Sequence, residues 1–143
     1  VKMKTILLSM AVLAMTTFAF GQSVNVPQAA QDQFNAALPG TSVHWTESNG
    51  QILGQFKNSG YPAGMRYELD GTFIRKETRI QVTDLPQAAQ DHIQQNAAEQ
   101  NVISVYRIEN NNTQYIVNIG GSDHTYDENG ELMGTSASAP FEW

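Results

Sequence analysis

Apolar residues along the chain fall into two rhythms. From residue 26 they recur at helical spacing as Val26, Ala30, Phe34 and Leu38, and from residue 85 as Leu85, Ala89, Ile93 and Ala97. Each run predicts a helix that lays one narrow apolar stripe on a sheet. Asn25 or Asp84 can cap, Gln28 or Gln87 stands three residues on, and a proline occupies each first turn. Pro39-Gly40 ends the first helix, whereas the second runs out near Asn101 with less punctuation. After each helix the rhythm changes to short strand-like runs separated by turn residues. The first set covers Ser42 to Ser48, Gln51 to Lys57, Met65 to Leu69 and Thr72 to Val82, with hairpin turns at Asn49-Gly50 and Asp70-Gly71. The second covers Val102 to Glu109, Thr113 to Ile119, His124 to Asp127 and Glu131 to Met133, closed by Asn129-Gly130. Residues 134–140 read as irregular.

The two sets echo each other. Val26-Pro-Gln-Ala-Ala-Gln-Asp32 recurs as Leu85-Pro-Gln-Ala-Ala-Gln-Asp91, fifty-nine positions on and with six of seven residues identical. Asp70-Gly71 maps onto Asn129-Gly130 at the same offset. The expected fold is therefore α+β: two tandem helix-plus-four-strand repeats, about 24–83 and 84–134, forming an antiparallel sheet with helices on one face. Both helical stripes are expected to lie over one continuous core. Residues 22–134 make a single domain in this reading, and 135–143 a C-terminal tail.

Residues 1–21 change the picture of where the chain works. Lys2 and Lys4 precede an apolar run from Ile6 to Phe20 that ends in Ala19-Phe20-Gly21. That pattern predicts a signal peptide cleaved before Gln22, and no later run is long and apolar enough to span a bilayer. A periplasmic or secreted protein without membrane insertion after cleavage is expected. Removing Lys2 and Lys4 leaves six basic against fourteen acidic residues, a net charge of −8. Such a surface repels nucleic acid and anionic lipid. With no cysteine in the chain, no disulfide staples the fold, and thiolate metal sites and cysteine nucleophiles are excluded.

The proline-opened helices and the hairpins Tyr67-Glu-Leu-Asp-Gly71 and Tyr126-Asp-Glu-Asn-Gly130 resemble the PepSY-like family of exported bacterial proteins. That family shares its architecture with beta-lactamase inhibitory proteins. The resemblance spans nearly all of residues 24 to 134, and it implies a small envelope domain that binds or inhibits rather than catalyses. Inhibitory proteins of that type carry disulfides, which this chain lacks, so beta-lactamase inhibition itself is not carried over.

Candidate chemistry is sparse. His44, His92 and His124 lie in different elements, and no paired metal-ligand spacing joins them. His92 reads as part of a solvated helix face. Asp123, Asp127, Glu128 and Glu131 surround His124 and could attract a hard cation, although the calcium-loop consensus is absent. Ser136 and Ser138 lack the second glycine of a nucleophile elbow. No catalytic residue, metal site or cofactor is assigned. The remaining signal is aromatic, because a sheet covered on one face leaves the other free for Tyr and Trp to bury against a partner. His44, Trp45, Tyr61, Tyr106 and Tyr126 are the candidate partner-binding residues, with His44 and Tyr106 sharing a face if the first strands align through Glu47 and Glu109; the same alignment puts Trp45 on the core side beside Val43, where its size leaves part of the ring exposed. The leading function is a non-enzymatic binding or inhibitory module for an envelope or secreted protein. The alternatives are an envelope sensor or small-ligand or cation-binding domain, and an uncharacterised hydrolase.

Overall fold

The computed structural model describes residues 23–96 and 102–138. The signal peptide expected over 1–21 lies outside the described residues, as does Ala97 of the second helical stripe. In chain order the elements are α1 (Gln28–Ala37), β1 (His44–Ser48), β2 (Gln51–Asn58), β3 (Tyr61–Glu68), β4 (Phe73–Arg79), α2 (Gln87–Asn96), β5 (Val102–Glu109), β6 (Thr113–Ile119), β7 (Ser122–Tyr126) and β8 (Leu132–Ala137).

Each helix begins on the residue after its proline, which corrects the expected first-turn position: Pro27 is the N-cap of α1, at φ −56° and ψ 139°, and its carbonyl accepts from the Ala30 and Gln31 N–H groups. No side chain caps the start of α1 at Pro27. Instead Gln31 reaches back to the Val26 carbonyl at 3.0 Å, and Gln90 does the same to Leu85 at 2.8 Å. Asp84 is committed elsewhere: its carboxylate accepts from the Gln81 N–H at 2.9 Å and closes a short 3-10 turn, Val82–Asp84, ahead of α2. That turn also ends β4 three residues before the Val82 expected from sequence.

All eight strands form one antiparallel sheet in the order β1 to β8. This corrects the expected two tandem helix-plus-four-strand repeats, while the α+β class stands. The decisive finding is the pairing of β4 with β5, from Lys76↔Glu109 to Arg79↔Tyr106, which carries the ladder across the expected boundary between units. The strands are not equivalent copies either. β1 is a five-residue edge, whereas β5 has eight residues and sits inside the sheet with neighbours on both sides. Two further elements differ from expectation. β3 begins at Tyr61, because Pro62 lies ahead of the first β4 pairing at Ala63↔Thr78 and removes no bond to that neighbour. β8 runs on to Ala137, so part of the expected irregular tail is strand.

The register sorts side chains onto two faces, since directly paired residues share a face and successive residues alternate. One face carries Ile52, Phe56, Ala63, Met65 and Tyr67, which bury Ala30 and Phe34 of α1. The same face, followed through β4 and β5, carries Val105, Val117, Ile119 and Tyr126, which bury Ala89 and Ile93 of α2. Both helices thus cover one side. Their cores stay separate, however, and the expected continuous core is corrected to two clusters. Between them this face presents Lys76, Thr78, Arg107 and Glu109, with Lys76 Nζ 3.7 Å and Arg107 Nε 3.4 Å from Glu109 Oε2. Charged groups at the β4–β5 seam cannot join an apolar core without a heavy desolvation cost.

Candidate binding face

The opposite side of the sheet is built by the alternate residues of the same strands. One cross-strand row reads Thr46, Leu53, Arg66 and Arg75, and the next reads His44, Gln55, Gly64, Glu77, Ile108 and Gln114. A third links Arg79, Tyr106, Ile116 and Thr125, and a fourth Ser104, Asn118, Asp123 and Ser136. Leu53, Tyr106 and Ile108 are buried, yet they belong to neither helix-covered cluster.

Charge is concentrated beside these apolar side chains. Glu77 is fully buried, and its Oε1 accepts from Arg66 Nε and from Arg75 Nε, each at 2.7 Å. Its Oε2 has no hydrogen-bond partner. A carboxylate held by two guanidinium groups satisfies the burial requirement for one charge and leaves one positive charge over. Farther along, Asn118 Nδ2 donates to Asp123 Oδ1 at 2.8 Å and to Ser138 Oγ at 2.6 Å, which ties β6 to β7 and to the residue after β8. At the β1 edge a cleft of about 600 Å³ opens between Val43, His44, Gln55, Phe56 and Lys57.

The five candidates from sequence do not converge. His44 is exposed on the open face, and Tyr106 shares that face as expected, but Tyr106 is buried. Trp45 faces the helices: its ring lies 5.5 Å from Phe34, and a Cβ on Gly54 would come within 2.8 Å of it. Tyr61 is also on the helix side by register, at the start of β3, where its hydroxyl accepts from Gln81 Nε2 at 2.6 Å. Tyr126 is completely buried in the α2 core, with its hydroxyl 3.0 Å from His92 Nδ1. Tyr126 is therefore corrected from a contact residue to core, and Trp45 lies half-buried on the core side beside Val43, where the alternation places it, because a large ring on the helix side fills the space under each helix. His92 is corrected too, being half-buried against Tyr126 rather than fully solvated.

The acidic group around His124 is dispersed by the same alternation. Asp123 points to the open face and His124 to the other, while Asp127 Oδ1 accepts the N–H groups of Asn129 and Glu131, both at 2.9 Å. Among the described residues no group of three or more His, Asp or Glu is placed to hold a metal ion. The sequence reading missed Leu53, Arg66, Arg75, Glu77 and Ile108. Alternation against Met65 and Tyr67 within the expected strand Met65 to Leu69 already puts Arg66 on the opposite face.

No protein-family model and no curated protein matches the chain. Solved structures do match. A DUF2874 family protein from Bacteroides ovatus is 17% identical with a TM-score of 0.73, over 80% of this chain and 89% of that one. A BLIP-like protein from Bacteroides fragilis is 17% identical with a TM-score of 0.74, over 85% and 95%. A Bacteroides eggerthii protein, provisionally named periplasmic, is 13% identical with a TM-score of 0.70, over 80% and 90%. At these identities the likeness establishes a shared BLIP-like fold.

Proposed function

We propose that the chain is an exported, non-enzymatic binding or inhibitory module that works in the periplasm or outside the cell and meets a protein partner with the open face of its sheet. One observation carries the reading. Both helices cover the same side, while the opposite side holds Leu53, Tyr106 and Ile108 outside both cores, next to Arg66, Arg75 and Glu77. Those apolar side chains are themselves buried, and what the face offers a partner is His44, Lys57, Arg75, Arg79 and the half-buried Ile116, an arginine-bearing composition of the kind protein interfaces use. The fold neighbours support the compartment and the class of activity: one is BLIP-like, and another is provisionally named periplasmic. Among the described residues no helix is long and apolar enough to cross a membrane. The Pro27-Gln-Ala-Ala and Pro86-Gln-Ala-Ala motifs add kinship with PepSY-like proteins.

Because the chain has no cysteine, one introduced thiol can be modified uniquely. A polyethylene glycol chain attached to Arg79→Cys, on the open face, is expected to abolish capture of the partner from an envelope extract. The same polymer on Asn35→Cys, exposed on α1, should leave capture intact. Equal capture by both conjugates would contradict the assignment of the face.

A further inference from the structure

We infer that the partner's contact surface is acidic, so that this face recognises a protein patch of Asp and Glu. The inference rests on the reading that the open face is the docking surface, and it adds the chemistry of what docks. Its basis is a segregation of charge that the strand register creates. Lys57, Arg66, Arg75 and Arg79 all point to the open face, and the strand residues Glu68, Glu77 and Asp123 are its acidic members. The face carries +1, although the chain as a whole carries −6, so everything else together carries −7.

The positive charge is also placed for use. Glu77 is buried and consumed by two arginines, whose Nε groups are the donors, and neither guanidinium has another acceptor among the described residues. Arg66 is buried with Glu77, whereas Arg75 is partly exposed and keeps its terminal nitrogens for carboxylates brought by a partner, in the forked geometry that favours arginine over lysine. Arg79 and Lys57 are exposed and enter no ion pair among the described residues. Because the rest of the chain is negative on balance, an acidic partner is drawn toward this face in preference to the others, which favours one orientation and speeds encounter. The net negative charge of the rest of the chain opposes the long, uniform negative charge of nucleic acid or an anionic membrane, whereas a local acidic patch on a protein meets only this face.

The test uses the purified exported protein with two synthetic peptides, one of alternating Glu and Leu and its counterpart of Lys and Leu. The acidic peptide is expected to shift the amide NMR signals of Arg66, Arg75, Arg79 and Tyr106. Its affinity should fall steeply as salt rises from about 50 to about 300 mM. Lys57→Glu/Arg79→Glu should bind it at least about tenfold more weakly, and Lys57→Gln/Arg79→Gln provides the same comparison without charge reversal. The Lys peptide should leave this face unperturbed. Binding of the Lys peptide to the same residues, shifts confined to α1 and α2, or tighter binding of double-stranded DNA or phosphatidylglycerol vesicles would overturn the inference. If thiol-directed polymer at position 79 blocks capture but the captured protein proves to touch it with a basic surface, the inference fails while the assignment of the face survives.

Discussion

Tyr67 and Tyr126 show how single side chains report the quality of the two cores. Tyr67 has no exposed surface, its ring lies 6.0 Å from Trp45 and 5.8 Å from Phe73, and its hydroxyl donates to the Met65 sulfur at 3.7 Å. Burial pushes its pKa from 10.0 to about 12, and burial raises that of Tyr126 as well. Above pH 10 the unfolded chain releases the Tyr67 proton while the folded one keeps it, so the native state binds more protons and stability falls as pH rises from 10 toward about 12. We expect a late-ionising phenolate in the ultraviolet titration that disappears in Tyr67→Phe, and a melting temperature that drops across that window. Ionisation of Tyr67 by pH 10 with the fold intact would contradict the packing. Glycine gives a second residue-scale test. Gly71 has φ +91°, and a Cβ there would lie 2.9 Å from Ala29 Cβ at the start of α1, while at Gly130, φ +87°, it would lie 2.8 Å from the Ala89 nitrogen of α2. Gly71→Ala and Gly130→Ala should each cost about 1 to 3 kcal/mol. Gly40, at φ +74° with open space around it, should lose less, roughly 1 kcal/mol, on the same change. Denaturant melts of the three variants check the order.

At the level of elements, stability is concentrated in the helix contacts and fades toward β8. Phe34 is fully buried beneath α1, with Trp45 and Phe56 at edge-to-face distances of 5.5 Å, so Phe34→Ala should cost about 3 to 5 kcal/mol. Every residue of β8 is exposed, and Leu132→Ser or Met133→Ser should change stability by less than about 0.5 kcal/mol. Chemical denaturation of these variants measures both. The same contrast explains what could be read from the chain. Helical stripes and the bounds of β5 and β6 were legible because each couples a strong period to a buried face. β3 was half hidden, since Gly60, Pro62 and Gly64 look like breakers when their neighbours are unknown. β8 carried no apolar alternation because neither of its faces is buried. The echo at fifty-nine residues reports a local device, each helix start resting on the glycine of a hairpin, and the pairing of β4 with β5 left no such mark. The site fared worst: Trp45 and Tyr126 were chosen as aromatics, and the arginine pair on Glu77 depends on strand register that the sequence left open.

For the whole molecule, one continuous sheet serves two separate purposes. Its helix side is spent on two apolar clusters divided by the Lys76, Arg107 and Glu109 seam, and its other side gathers four of the chain's eight basic residues. On the proposed function, folding and recognition fall to opposite surfaces of the same strands, because side chains alternate along each one. Substitutions should separate accordingly, with changes in the helix-side cores costing stability and changes at the exposed open-face residues His44, Lys57 and Arg79 costing binding. The most direct measurement places a photo-activatable cross-linker on single thiols at His44→Cys and Arg79→Cys on the open face, and at Asn35→Cys and Gln94→Cys on the exposed sides of the helices. In intact envelopes the account predicts covalent adducts to the same protein from positions 44 and 79 and none from 35 and 94; adducts formed from the helix positions, with 44 and 79 silent, would contradict it.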